Sequence, residues 1–407
     1  MIEIKSGKSP IDVEIKLSAS KSITNRALII QALSREKIEI RNPSTSDDSR
    51  ILTNALQFLT KEIDAGDSGT AFRFLTAFLS IQQGEFFLTG SNRMKDRPIG
   101  TLVKALSSLH AKIEFLGKQG YPPLKITGNR LHGGSLRIEA STSSQFVSAL
   151  LMIAPVLSGG LTLELTGSIV SRPYIDMTKS MMLMFGIEIS ELDNVIQILP
   201  QQYTGGIIEV ENDWSSASFW YEVVALAENA NIKLRDLHIK SIQGDSVISK
   251  IMENLGVRST HSTVGIKIKK DSMFKKPPLF SWDFTNCPDL VMPIAAACVG
   301  LQLEARLSGI SNLRIKESDR IFALKNEIEK TGSIVCVGEN ELKISAGNSR
   351  PASVQFNSHN DHRIVMALAP LALVFESITI DDEKPVSKSY PEFWNDLLKA
   401  GFQITIT

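Results

Sequence analysis

Two hydrophobic patterns alternate along this chain. In the first, apolar residues recur every three or four positions, the run closes on a small residue or turn, and a short β-type segment follows, as when a helix leads into a strand. About six segments read this way: RILTNALQFLTKEID from Arg50, TLVKALSSLHAKIEF from Thr101, MTKSMMLMFGIEI from Met177, VISKIMENLGVRS from Val247, IFALKNEIEKTGSIV from Ile321 and FWNDLLKAGFQIT from Phe393. Several close on a glycine, namely Gly186, Gly256, Gly332 and Gly401, which suits a left-handed C-cap between helix and strand.

The second pattern is apolar nearly all round, as a helix enclosed on every side must be. It covers Ser22 to Leu33, Thr70 to Leu79, Ser144 to Leu157, Ser215 to Ala227, Asp289 to Gly300 and Arg363 to Phe375. Three of these runs fall before Asn212 and three after it, so two similar domains are expected, each of three units combining helices with strands. The length of 407 residues points the same way, because one core rarely serves so long a chain.

A polar cluster precedes each buried run: SKSITNR at Ser20, DSGTAFR at Asp67, STSSQ at Ser141, DWSSAS at Asp213, NCPD at Asn286 and NDHR at Asn360. Ser, Thr, Asp and Asn are the usual helix N-caps, so one such cluster would mean only a well-made helix. The cations alter that reading. Lys21, Arg26, Arg73 and Arg363 stand within a turn or two of these caps, where a positive side chain opposes the helix dipole, and a bound anion would remove the conflict. Further cationic segments lie between the units, at MKDRPI, SRPYIDM, NLRIKESDR and KPVSKSYP. Three cations and two carboxylates in NLRIKESDR, directly before an amphipathic helix, are what proton transfer beside bound anions requires.

Charge and composition narrow the classes. Lys plus Arg and Asp plus Glu each total 44, so no net field gathers a nucleic acid or an anionic membrane. With 43% hydrophobic and 22% charged residues the chain should fold throughout. The apolar run from Ile364 to Phe375 is too short to span a bilayer, and the N-terminal segment reads as a strand and not a signal peptide. Three cysteines, with Cys298 and Cys336 in apolar stretches, argue for reduced thiols and a cytoplasmic location. Only His359 and His362 are close among the histidines, so no metal site is expected, and GxxxxGK[ST] and GxGxxG are both missing. Met181, Met182 and Met184 read as core packing.

In order and approximate spacing, SKSITNRAL, SGTAFR, RPI, SSQFVSALLM, SRPYIDM, DWSSAS, PDLVM, NLRIKESDR, NDHR and SKSYP closely resemble the 5-enolpyruvylshikimate-3-phosphate synthase family, over about Ser18 to Pro391. The resemblance implies an α/β chain folded as a two-domain inverse α/β prism, each domain of three βαβαββ units, with the active site in the cleft between them. Residues 20–211 would form the inserted domain and residues 1–19 with 212–407 the other. It also implies transfer of the enolpyruvyl group of phosphoenolpyruvate to the 5-hydroxyl of shikimate 3-phosphate, with release of phosphate, no cofactor, and a monomer as the working form.

By the same resemblance Asp289 would accept the hydroxyl proton, Glu317 would serve proton transfer at the methylene carbon, and Lys21 could share in it. Shikimate 3-phosphate would be held by Lys21, Ser22, Arg26, Ser143, Ser144, Gln145, Ser171, Tyr174, Asp289, Asn312 and Lys316. Phosphoenolpyruvate would be held by Lys21, Gly69, Arg97, Gln145, Arg320, Arg363 and Lys388. Gly69 has its own physical argument, since a missing side chain lets a ligand approach the backbone; in the family this position also shapes the room for the inhibitor glyphosate. The chain departs from the family pattern at Ser18 and Ala19, at Asp67, where Asn is usual, and at Phe74, where Pro is usual. A carboxylate at Asp67 would repel phosphoenolpyruvate unless Arg73 or Arg97 neutralises it. The residues leave open an enolpyruvyl transferase acting on UDP-N-acetylglucosamine, a catalytically silent anion-binding homologue, and an RNA phosphate cyclase of related fold.

Overall fold

A computed structural model describes residues 1–7 and 10–406. The expected N-terminal strand and the outer domain's limits include Lys8, Ser9 and Thr407, which lie outside the described residues. Two compact units divide the chain: Met1–Ser20 with Glu211–Thr407, called the outer unit below, and Lys21–Val210, the inserted unit.

Among the described residues five of the six sheets share one arrangement of elements, two of them in the outer unit with a strand drawn from a distant part of the chain. A strand leads into a buried helix and then a second strand parallel to the first, after which an outer helix brings the chain back for an antiparallel pair. In the inserted unit, strand Glu62–Asp64 runs parallel to Gly84–Thr89 across helix Gly69–Ser80. Helix Gly100–Ser108 then leads to Lys112–Phe115 and Leu124–Gly128, the latter pairing antiparallel with Gly84–Thr89. The same sequence runs from Gly134–Glu139 to Val195–Ile198 around helix Ser144–Ile153. The third sheet of this unit has two strands, Ile38–Arg41 parallel to Gly206–Glu209.

In the outer unit, strand Ile11–Lys16 runs parallel to Ala230–Arg235, and helix Trp214–Leu226 immediately precedes the latter. A second sheet runs from Phe280–Asp283 to Glu341–Ser345 around helix Val291–Gly300. The third begins at Ser353–Phe356 and is completed by strand Ile2–Lys5, where Ile2 faces both Ile380 and Ile406. In the sheets that begin at Glu62, Gly134, Phe280 and Ser353 the buried helix follows the carboxyl end of the first strand, so the polar cluster occupies that turn.

Local chemistry explains the joints. Gly186, Gly256, Gly332 and Gly401 all have positive φ, between 80° and 94°, the conformation that lets a helix stop and turn without a Cβ clash. Two buried runs are interrupted where continuous helix was expected. Helix Ser144–Ile153 tightens to a 3-10 turn over Ala154–Val156, and His362–Leu368 does so over Ala369–Leu373; Pro155 and Pro370 supply no N–H to continue either helix. The strand expected at Ile187 starts only at Ser190. There the side chain of Gln201 takes the backbone of Glu188, accepting from its N–H at 2.8 Å and donating to its carbonyl at 3.0 Å, in place of a strand partner.

Met181 and Met182 are buried as expected, but Met184, at the last turn of helix Arg172–Met184, is 58% exposed. Cys287 and Cys298 are buried free thiols, whereas Cys336 is exposed because alternate side chains of its strand, Ile334–Val337, point outward. Among the described residues no helix is long and apolar enough to cross a membrane, and no cluster of His, Cys, Asp and Glu could hold a metal ion.

Candidate functional site

The expected residues fall into two groups, one in each unit. In the inserted unit most of them gather at the starts of three buried helices, with Ser171 and Tyr174 at the start of helix Arg172–Met184 and Arg97 just past helix Asn92–Lys95. Lys21 opens helix Lys21–Leu33, its ammonium 3.1 Å from the carboxylate of Asp48, itself nearly buried in the first turn of helix Asp47–Gln57. One turn later Arg26 is 1% exposed. Its guanidinium donates to Thr178 Oγ1 at 2.7 Å, to the Ser22 carbonyl at 2.9 Å, and to Ser148 Oγ and the Tyr174 carbonyl at 3.2 Å each. The rings of Phe74 and Tyr174 lie 5.5 and 5.9 Å away. Burial pulls its pKa down to about 10, which leaves it charged at neutral pH. The departure at Phe74 thereby acquires a physical role, an aromatic wall for a buried cation.

Helix Gly69–Ser80 begins on a tight cradle. Ser68 caps it by accepting from Ala71 N–H at 3.2 Å. A Cβ on Gly69 would stand 2.5 Å from Arg97 Nη1 and 2.6 Å from Arg73 Nη1, so two guanidinium groups converge on the one residue without a side chain. Arg73 donates to Gln145 Oε1 at 2.7 Å, and Gln145 Nε2 donates to Thr70 Oγ1 at 2.9 Å, which ties the start of helix Ser144–Ile153 to that of Gly69–Ser80. Ser143 caps the former by accepting from Gln145 N–H at 3.3 Å, and Ser144 beside it is buried. Ser171 is buried in a left-handed turn, φ 55°, that launches helix Arg172–Met184 and brings Tyr174 to Arg26. Asp67 accepts a short hydrogen bond from the Ser91 hydroxyl.

In the outer unit the cations are interleaved with carboxylates. Asp289 sits in the turn Pro288–Leu290 that starts helix Val291–Gly300. One of its oxygens is 2.9 Å from Arg320 Nη1 and 3.9 Å from Lys316 Nζ, and the other is 3.0 Å from Arg363 Nη2. Glu317 meets Arg320 Nη2 at 2.9 Å and Lys388 at 3.5 Å. Arg320, 1% exposed, also donates through Nε to Asp361 at 2.8 Å, so one guanidinium joins three carboxylates. Burial would raise the Asp289 carboxyl, but Arg363, Lys316 and Arg320 outweigh it and hold the group well below the usual range. Burial opposes the charge on Arg320 as well, and Asp361, Glu317 and Asp289 more than restore it. Asn312 is 7% exposed, and its side-chain oxygen finds no hydrogen-bond partner among the described residues.

The structure thus brings Asp289, Lys316, Glu317, Arg320, Arg363 and Lys388 into one contiguous cluster. It also adds residues missing from the expected roles. Arg73 and Asp361 lie inside clusters already visible, SGTAFR and NDHR. Asp48 was visible only as one of two acids opening an amphipathic helix, a pattern the dipole alone would explain. Asp245 carried no signal. It is buried, accepts from Ser215 Oγ at 2.5 Å, and is pushed up to about 6 by burial and then by the negative charge of Asp289.

The family model for EPSP synthase (3-phosphoshikimate 1-carboxyvinyltransferase) matches residues 5–64 and 57–397. A 3-phosphoshikimate 1-carboxyvinyltransferase of Bacteroides fragilis (strain YCH46) is 44% identical over 405 residues, 98% of each chain. One from Aliivibrio fischeri (strain MJ11) is 35% identical over 421 residues, 96% of this chain and 97% of that one. The fold is similar to a solved EPSP synthase of Acinetobacter baumannii, with a TM-score of 0.79 at 22% identity, covering 100% of this chain and 99% of that one.

Proposed function

This chain belongs to the EPSP synthase family, and on that premise we propose how its residues divide the transfer of an enolpyruvyl group from phosphoenolpyruvate to the 5-hydroxyl of shikimate 3-phosphate. The observation that carries the assignment is the junction at Arg320, which holds Asp289 and Glu317 as two separate carboxylates within one cationic cluster. The relatives' names favour shikimate 3-phosphate over UDP-N-acetylglucosamine as acceptor.

The reaction is an addition followed by an elimination. The 5-hydroxyl oxygen bonds to C2 of phosphoenolpyruvate, its proton leaves, and C3 gains a proton to become a methyl group. The resulting tetrahedral centre then loses a proton from that methyl and expels phosphate. Asp289, kept ionised by its cations, is assigned the hydroxyl proton, and its neighbours Lys316, Arg320 and Arg363 the stabilisation of the charge that gathers as the bond forms. Glu317, with one oxygen toward Lys388 and one on Arg320, is assigned proton transfer at C3, shared with Lys21.

The two anionic substrates need different cradles. Phosphoenolpyruvate is assigned to Lys21, Gly69, Arg97, Gln145, Arg320, Arg363 and Lys388. Two guanidiniums converging on Gly69 support this, because like charges so placed are stabilised by an anion between them. Shikimate 3-phosphate is assigned to Lys21, Ser22, Arg26, Ser143, Ser144, Gln145, Ser171, Tyr174, Asp289, Asn312 and Lys316. Arg26 contributes charge from within the wall, since most of its N–H groups are committed to the protein, while the orphaned oxygen of Asn312 suits a ring hydroxyl. The working form is taken as a monomer in the cytoplasm that needs no cofactor. Purified protein should release inorganic phosphate when given both substrates and from neither alone; no release with both would overturn the assignment.

A further inference from the structure

Glu327 lies in none of these cradles, yet its side chain is almost fully buried, 1% exposed. It stands seven residues after Arg320 on helix Arg320–Glu329, two turns along and therefore on the same face. One oxygen meets His359 Nε2 at 2.7 Å. The other accepts from the Asn357 backbone N–H at 2.8 Å and pairs with Lys330 at 2.6 Å. The segment so gripped leads directly into Asp361 and helix His362–Leu368, which carries Arg363.

That segment is not in a relaxed conformation. His359 and Asn360 both have φ of 51°, and consecutive left-handed residues with side chains persist only where surrounding contacts determine them. The contacts come from two sides. Asp381 accepts from Ser358 N–H at 2.7 Å, and Glu327 takes the residues on either side of Ser358. Just beyond, Asp361 accepts from Ser318 Oγ at 3.0 Å, from Arg320 Nε at 2.8 Å and from the Arg363 N–H at 3.0 Å. Helix Arg320–Glu329 thus grips one turn at two points, through Arg320 at one end and Glu327 at the other.

We propose that Glu327 is a positioning residue for phosphoenolpyruvate: by clamping Asn357 and His359 it fixes the turn that sets Asp361, and through Asp361 the placement of Arg320 and Arg363. This rests on the assignment of those two arginines to phosphoenolpyruvate. It predicts a split between substrates, because most groups assigned to shikimate 3-phosphate lie in the inserted unit, away from this turn in the chain.

Steady-state kinetics on the full chain test it, with phosphate release as the readout. Glu327→Gln should raise the KM for phosphoenolpyruvate about tenfold and change that for shikimate 3-phosphate less than twofold. His359→Gln, which keeps a donor to the carboxylate, should stay within about threefold of the parent, whereas His359→Ala should follow Glu327→Gln. Equal rises in both KM values, or a loss of active protein with both unchanged, would reduce Glu327 to a structural role and overturn the proposal. Should Glu327→Gln fail to fold, His359→Ala decides alone, since it leaves the bonds to Asn357 and Lys330 in place. Parent protein inactive with both substrates would instead refute the assigned reaction.

Discussion

Two buried arginines, one in each unit, hold their positive charge by opposite means. In the inserted unit Arg26 is supported by hydroxyls, carbonyls and ring faces. In the outer unit Arg320 is ringed by Asp289, Glu317 and Asp361. A guanidinium held by neutral dipoles keeps its whole charge for an incoming anion. One held by carboxylates has given much of that charge to its partners, and what it offers in return is control over when they carry a proton. The first arrangement suits binding alone, and the second couples binding to proton transfer.

The hardest test of this contrast is to delete one arginine from each unit. Arg320→Met would leave Asp361, fully buried, and two further carboxylates without their shared cation, at a cost of about 3–5 kcal/mol. Arg26→Met removes hydrogen bonds but strands no opposite charge, and should cost less, about 1–3 kcal/mol, although both variants lose turnover. Denaturant unfolding of the pair measures the difference, and equal costs would break the comparison.

Glu222 shows what the outer unit does with a carboxyl that has no cation. It is 0% exposed in helix Trp214–Leu226, neither oxygen has a hydrogen-bond partner among the described residues, and burial pushes its pKa well above the usual value of 4.5. The folded state therefore holds the proton while the unfolded chain releases it above pH 4.5. Stability from this group is complete below that pH and is lost as pH rises toward the folded pKa, by about 1.4 kcal/mol per unit. Glu222→Gln abolishes the slope. The variant should match the parent near pH 4 and gain on it steadily toward pH 7 in urea titrations, and parallel curves would show that Glu222 ionises within the fold.

Smaller effects probe the inserted unit. Gly69→Ala puts a methyl group against two guanidiniums that can swing aside, so the melting temperature should hold while the KM for phosphoenolpyruvate rises about tenfold, or about 1.4 kcal/mol. Asp67→Asn keeps an acceptor for Ser91 and removes a negative charge near the start of that helix. The KM for phosphoenolpyruvate should fall about threefold, less at high salt, and an unchanged KM would mean that the carboxylate is already neutralised.

Much of the fold could be read from spacing because its joints have strict requirements. Only glycine serves easily at Gly186, Gly256, Gly332 and Gly401, and a helix without a polar face has nowhere to lie but inside. The prolines at 155 and 370 were equally visible, yet a uniformly apolar run hid the change from α to 3-10 geometry. In the site, residues carried by a motif were legible and residues recruited from a distance were not. Asp245 lies 44 positions before Asp289 in sequence and feels its charge only through the fold. The union of Asp289, Glu317 and Asp361 depends on one arginine reaching three turns of chain, which no local pattern records.

The closure of the last sheet by strand Ile2–Lys5 sets a timetable for biosynthesis. Ile2 is synthesised more than 370 residues ahead of its neighbours Ile380 and Ile406 and waits for them through all of the intervening chain. Strand Ile11–Lys16 likewise waits for Ala230–Arg235, past the entire inserted unit. Residues 21–210 pair only among themselves in their sheets and can mature while the rest is still being translated. The outer unit spends that interval with apolar strand residues uncovered, and it is the half for which a chaperone would matter most.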